Sequence, residues 1–187
     1  MNKEVLKNKR VIFITLILIV LIIIWFKMTD NSDSSELKSV LLKTNFGDIT
    51  IELDKNMPIT AGNFENLVKK GIYDEVIFHR IIDGFMIQGG DPTGTGMGDP
   101  SIPNIKDEFT SNNKNNRGTI SMANAGPNTG SSQFFINLVD NNFLDNKHPV
   151  FGKVVNGMDV VDKIAKVQTD NSDRPIQEVK IIKAEII

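Results

Sequence analysis

The segment Val40-Leu41-Leu42-Lys43-Thr44-Asn45-Phe46-Gly47-Asp48-Ile49-Thr50-Ile51-Glu52-Leu53 sets the class of fold. Its second half alternates strictly, with Ile49, Ile51 and Leu53 on one face and Asp48, Thr50 and Glu52 on the other, the period of a half-buried strand. Asn45-Phe46-Gly47-Asp48 carries turn chemistry between two β-type runs, so residues 40–53 form a hairpin. Working outward, further strands are predicted at Val76–Ile82, Phe85–Gly89, Gly118–Met122, Gln133–Leu138, Val150–Val155 and Gln177–Ile186. Two helices interrupt them. Pro58 fits a first helical position, Ala61, Phe64, Leu67 and Val68 recur at helical spacing, and Lys69-Lys70-Gly71 ends the run. Met158, Val161, Ile164 and Ala165 define a second helix over Met158–Val167. Many short strands separated by Gly-, Asn- and Pro-rich loops, with two covering helices, point to a barrel or a sandwich. The longest irregular stretch, Asp91 to Arg117, is long enough for a loop in a compact domain to suggest function or mobility.

The N-terminus is a different material. Residues 11–26, VIFITLILIVLIIIWF, carry no charge, and Thr15 is their only polar interruption. As a helix this run is roughly 24 Å long at about 1.5 Å per residue, a little short of a bilayer core, and Trp25, Lys27, Lys9 and Arg10 suit the two interfaces. The segment after it, Trp25-Phe26-Lys27-Met28, lacks the small residues of a cleavage site. The expectation is therefore a basic cytoplasmic N-terminus at residues 1–10, a transmembrane signal anchor at 11–27 in contact with the lipid bilayer, a Ser/Asp-rich flexible linker at 28–39, and one domain at 40–187. The positive-inside rule directs that domain to the extracytoplasmic side of the membrane as a single-pass protein, with secretion after signal cleavage as the alternative.

Charge and composition narrow the chemistry. The net charge is −2 although Lys3, Lys7, Lys9 and Arg10 stand against Glu4 at the head, so the domain itself is acidic and no nucleic-acid partner is expected. The chain has no cysteine and two histidines, His79 and His148, which removes thiol nucleophiles, thiolate metal sites and a His-rich metal centre. Gly94-Thr95-Gly96-Met97-Gly98 has neither the spacing of a dinucleotide fingerprint nor the Lys-Ser/Thr of a phosphate loop. His148 with Asp145 and a serine could be drawn as a hydrolytic triad, but no nucleophile elbow accompanies them. No metal and no cofactor are expected.

Two blocks remain. In Phe78-His79-Arg80-Ile81-Ile82-Asp83-Gly84-Phe85-Met86-Ile87-Gln88-Gly89-Gly90-Asp91 an arginine stands within a largely apolar β-type run, where a charge is costly unless it is paired or used. In Ser121-Met122-Ala123-Asn124-Ala125-Gly126-Pro127-Asn128-Thr129-Gly130-Ser131-Ser132-Gln133-Phe134-Phe135-Ile136, Gln133 and Phe135 would share one face of a strand. Taken singly, these residues read as a salt-bridged strand arginine and plain core.

Taken in order with Phe143-Leu144-Asp145-Asn146-Lys147-His148-Pro149-Val150-Phe151-Gly152, the blocks resemble the cyclophilin-type peptidyl-prolyl cis-trans isomerases, from about Leu41 to the C-terminus. The resemblance implies a mainly β fold, a closed eight-stranded antiparallel barrel capped by two helices, with a proline-binding groove on its outer surface. It also implies a monomeric enzyme without a cofactor, acting on proline-containing polypeptides and, given the anchor, assisting folding of exported or surface proteins. Carried over by position, the catalytic set is Arg80, Phe85, Gln88 and Asn124. Substrate binding falls on Met86, Ala123, Gln133, Phe135, Phe143, Leu144 and His148. Phe85 and Met86 can share a groove only if Gly84 bends the chain. Phe143 stands where many members carry tryptophan, which removes an indole N–H and weakens the expectation of cyclosporin-like binding. Asp83 replaces a proline common in the family, with little expected consequence. A proline-peptide binding module with negligible turnover is the competing reading.

Overall fold

The alternating segment pairs as its sequence requires. In the computed structural model, which describes residues 39–187, β1 (Ser39–Thr44) and β2 (Gly47–Leu53) form an antiparallel hairpin, with Val40 opposite Ile51 and Leu42 opposite Ile49. All four side chains are fully buried. There follow helix α1 (Thr60–Lys69), β3 (Val76–Ile77), β4 (Arg80–Ile82), β5 (Met86–Gly89), β6 (Thr119–Met122), β7 (Phe134–Asn137), β8 (Val150–Asn156), helix α2 (Met158–Ala165) and β9 (Lys180–Ile186). The strands make one antiparallel sheet in the order β3-β9-β1-β2-β8-β6-β7-β5-β4.

The strand count and closure depart from the expected eight-stranded closed barrel. The predicted strand Val76–Ile82 is divided at Phe78-His79 into β3 and β4, which stand at the two opposite ends of the nine-strand ladder. The sheet therefore curls until both its edges belong to one stretch of chain, and chain continuity, not a closing ladder of hydrogen bonds, joins them. Phe78 and Ile81 show why. The Phe78 N–H donates to the Val179 carbonyl at 2.8 Å on the β9 side, whereas the Ile81 N–H donates to the Asp173 carbonyl at 2.8 Å.

Register sorts the side chains of this sheet onto its two faces. Across β4, β5, β7 and β6, the residues Ile81, Ile87, Ile136 and Ile120 lie opposite one another and are buried in the core. The neighbouring row, Arg80, Gln88, Phe135 and Ser121, must take the other face, because successive strand residues alternate. The four isoleucines and the arginine row are thus two sides of one pattern.

Helix α1 fills one end of the curl with Phe64, whose ring lies 4.9 Å from Tyr73, 5.4 Å from Phe134 and 5.1 Å from Phe151. Its start is capped from a distance: the Glu108 carboxylate accepts the Ile59 and Thr60 N–H groups, both at 3.1 Å, satisfying donors that no local side chain caps. It ends as predicted at Gly71, at φ +69°. There the Gly71 and Ile72 N–H groups bond back to the carbonyls of Val68 and Leu67.

The expected anchor and most of the linker lie outside the described residues. Among the described residues no helix is long and apolar enough to cross a membrane.

Candidate active site

The outward row of the sheet opens into a cavity of about 170 Å³ lined by Arg80, Phe85, Met86, Gln88, Ala123, Asn124, Phe135, Leu144 and His148. Its floor comes from three adjacent strands, since Arg80 opposes Gln88 and Gln88 opposes Phe135. Met86 lies two residues from Gln88 and so points to the same face. Phe85 joins it from outside the strand, because the turn Ile82–Phe85 passes through Gly84 at φ +71° and closes with a 3.0 Å bond from the Phe85 N–H to the Ile82 carbonyl. Asp83 in this turn accepts from the Lys166 ammonium at 2.6 Å. The far wall is the segment around the 3₁₀ turn Asn142–Leu144, which carries Leu144 and His148.

A buried polar network underpins that wall. Asn141 donates to the Phe85 carbonyl and to the Asn137 side-chain oxygen, each at 2.9 Å. Asn137 in turn donates to Ser121 Oγ at 3.2 Å, and Ser121 donates to Asn115 Oδ1 at 2.7 Å. Fully paired buried amides of this kind fix neighbouring loops in one arrangement.

Each polar side chain at the cavity has an identifiable state. Arg80 is half-exposed and ion-paired through Nε to Asp173 Oδ2 at 3.4 Å, which spends the inner nitrogen and not the two Nη groups. Gln88 donates to Gln133 Oε1 at 2.9 Å, and Gln133 donates onward to the Gly96 carbonyl at 3.1 Å, so the Gln88 oxygen remains as an acceptor. Asn124 donates to the Lys147 carbonyl at 2.8 Å and accepts the Gly126 N–H at 3.2 Å. Its side chain is thereby committed to the loop, and its own backbone N–H and C=O are the groups with no partner among the described residues. His148 donates from Nδ1 to the Met122 carbonyl at 3.1 Å and meets Phe135 edge-on at 5.4 Å.

Two residues assigned to substrate binding sit beside this cavity, against residues that line it. Gln133, just before β7, belongs to an adjoining hollow of about 570 Å³ walled by residues 96–104 and by Gln88, Ala123 and Asn124, which both cavities share. Phe143 is 64% exposed and stacks on Phe85 at 5.9 Å, at the rim and not in the cavity. The hydrolytic alternative does not assemble. Asp145 is held by Lys114 at 3.0 Å and by the Asn115 N–H at 2.8 Å, and His148 is oriented by a carbonyl instead of by that carboxylate.

The first part of the long loop that the sequence marks as functional or mobile is organised by one buried carboxylate. Asp91 accepts from the Thr93 N–H and hydroxyl at 2.9 and 2.8 Å, from Thr95 Oγ1 at 3.3 Å, and from the Gly96 and Gly98 N–H groups at 2.7 and 3.1 Å. Burial pushes its carboxyl pKa upward, but the hydrogen bonds from Thr93, Gly98 and Gly96 outweigh burial and hold it below the ordinary range. Buried His79 lies under Gly96. Burial, with opposition from Asp91, lowers its pKa, and its Nδ1 makes no hydrogen bond. Because Asp91 has a depressed folded-state pKa, its contribution to stability is present above the unfolded value of about 3.9 and is lost as pH falls through the folded value. Asp91→Asn is therefore expected to cost about 2 kcal/mol at neutral pH. It should also flatten the loss of stability below about pH 4 relative to the parent, read as urea midpoints across pH.

The fold and site define a mainly β protein with an outward groove on a curled antiparallel sheet, walled by apolar residues with one arginine, one histidine and two amides. The comparisons place it more narrowly. Residues 39–186 match the family model described as cyclophilin type peptidyl-prolyl cis-trans isomerase/CLD. The chain is 53% identical over 150 residues to the peptidyl-prolyl cis-trans isomerase ppi1 of Schizosaccharomyces pombe, covering 78% of this chain and 97% of that one. It is 51% identical over 152 residues to the peptidyl-prolyl cis-trans isomerase CYP18-2 of Arabidopsis thaliana, covering 79% and 93%. A crystal structure of a cyclophilin type isomerase from Cryptosporidium parvum superposes with a TM-score of 0.78 at 37% identity, covering 81% of this chain and 98% of that one. The same protein in the presence of the dipeptide Ala-Pro gives 0.76 at 38%, covering 80% and 98%. The chain belongs to the cyclophilin-type peptidyl-prolyl cis-trans isomerases.

Its strongest signals in the sequence were the two blocks that supply β4 to β7. Asp173 and the wall at residues 96–104 were not singled out as site residues. Asp173 sits 93 positions from Arg80 in a run whose local chemistry announces only a turn.

Proposed function

We propose that this isomerase is tethered to a membrane by residues 11–27 and acts on X-Pro bonds of exported or surface polypeptides, with Arg80 as its catalytic group. The observation that carries the catalytic assignment is the Arg80 guanidinium at the edge of an apolar cavity, in one row with Gln88 and Phe135. An X-Pro bond resists rotation by about 18–20 kcal/mol because amide resonance keeps it planar. As the bond twists, the prolyl nitrogen regains a lone pair. A guanidinium that donates to that nitrogen binds the twisted state more strongly than the planar one, which is the condition for catalysis. Phe85, Met86, Phe135 and Leu144 hold the proline ring and exclude water, with Ala123 and His148 completing the wall. Gln88 and the backbone of Asn124 orient the adjoining peptide groups, so that one side of the bond is fixed while the other rotates. Gln133 and Phe143 contact the chain beyond the proline, from the neighbouring hollow and from the rim. No cofactor enters this scheme, and one chain suffices for it.

The enzymatic assignment is tested by isomerisation of an Ala-Pro peptide by the full chain, with Arg80→Ala beside it. Binding of the peptide without acceleration would favour a binding module instead. The tether rests on the uncharged run at residues 11–26 and the basic cluster before it. Protease added to intact cells or spheroplasts is expected to remove the domain at 40–187. Protection of that domain would reverse the orientation, and recovery of soluble protein lacking residues 1–27 would mean secretion after cleavage.

A further inference from the structure

We infer that Asp173 is a positioning residue for Arg80, a role that rests on the catalytic reading above. β4 ends the nine-strand ladder, so one side of it has no strand neighbour. A turn built from residues 168–176 takes that place: the Ile81 N–H between Arg80 and Ile82 donates to the Asp173 carbonyl at 2.8 Å, while the Asp173 carboxylate accepts from Arg80 Nε at 3.4 Å. One residue thus holds both the backbone and the side chain of the arginine's strand. Capturing Nε leaves Nη1 and Nη2, the nitrogens farther along the side chain, for the cavity that Arg80 lines.

The turn is itself fixed. Asp173 adopts φ +62°, and its N–H donates to the Asp170 carbonyl at 3.1 Å. The Asp170 carboxylate accepts the Ser172 and Arg174 N–H groups at 2.8 and 3.0 Å. Arg174 Nη1 donates to the Gly94 carbonyl at 2.8 Å, which ties the turn to the Asp91 loop beside the groove. Arg80 and Asp173 are each 42% exposed, and ion pairs that open to solvent add little to stability. Their orientation matters for another reason: a long arginine side chain free on an edge strand samples several rotamers, and only those aimed at the prolyl nitrogen are productive.

The test uses Asp173→Gly and Asp173→Asn, both compatible with a positive φ, in the parent and in Arg80→Ala backgrounds. With an Ala-Pro peptide followed by NMR exchange, Asp173→Gly is expected to lower kcat about tenfold with KM within about twofold. Asp173→Asn should retain at least half of the parent kcat, because its amide oxygen still accepts from Nε. In the Arg80→Ala background Asp173→Gly should cost nothing further. Parental kcat in Asp173→Gly, or an equal loss when Arg80 is already absent, overturns the positioning role while leaving Arg80 catalytic. Parental activity in Arg80→Ala overturns the catalytic reading, and the positioning role with it.

Discussion

Arg80→Ala is expected to lower kcat/KM for an X-Pro peptide by about 10²–10³, with the unfolding midpoint close to that of the parent. The size follows from what one preorganised donor in a shielded site supplies to a transition state, about 3–4 kcal/mol. The intact fold follows from position. Arg80 faces outward, and its one ion pair among the described residues is the half-exposed contact with Asp173, whereas its neighbour Ile81 is the residue that enters the core. Arg80→Lys sharpens the test. An ammonium carries its three donors on one nitrogen, so it cannot pair with Asp173 at one place and reach into the cavity at another, as a guanidinium with separate Nε and Nη groups can. Lysine should therefore recover only a small part of the lost rate, although charge is conserved. Recovery to the parental rate would mean that net charge alone stabilises the twisted bond. The measurement is isomerisation with an Ala-Pro peptide, paired with direct peptide binding to separate turnover from affinity.

Much of this arrangement was legible because a strand sorts its side chains strictly by parity. Ile81, Ile87, Ile120 and Ile136 are visible as inward positions, and once they are assigned, Arg80, Gln88 and Phe135 have only the outer face left. The turn at Gly84 was also legible, since only a bend brings Phe85 round to the face that Met86 already occupies. What escaped was set by contacts with no local signature. Nothing within Val76–Ile82 announces that Phe78-His79 breaks the strand. The break arises because its two halves pair with opposite ends of the sheet, a property of the whole curl. Glu108 capping the helix at Thr60, and Asp173 meeting Arg80, are likewise contacts between loops far apart in sequence. Gln133 lies one residue before β7, yet its carbonyl still accepts the Ala123 N–H at 3.0 Å, so it keeps the parity it shares with Phe135 while its side chain reaches from Gln88 to the Gly96 carbonyl.

The adjacent residues Phe134 and Phe135 should respond to truncation differently, one chiefly in stability and the other chiefly in binding. Phe134 is fully buried and meets Phe64 at 5.4 Å, Tyr73 at 5.6 Å and Phe78 at 6.1 Å, each ring edge-to-face. Removing it opens a void among Phe64 of α1, Tyr73 and Phe78. Core truncations of phenylalanine cost about 3–5 kcal/mol, and the loss here belongs at the upper end because three favourable aromatic contacts disappear together. That is a large fraction of the total of about 5–15 kcal/mol that holds a domain folded. Phe135 is only 4% exposed but stands outside the central cluster, against the cavity, with His148 at 5.4 Å as its ring partner. Phe135→Ala should therefore destabilise too, by less than Phe134→Ala, while removing the wall against which the proline ring rests. Urea midpoints should rank Phe134→Ala as the less stable variant, and KM measured on the folded fraction should rank Phe135→Ala as the weaker binder, by about tenfold for a lost apolar contact of this size. If Phe135→Ala kept parental affinity, the ring would be core and not pocket. The groove would then have to hold its substrate through Phe85, Met86 and Leu144 alone.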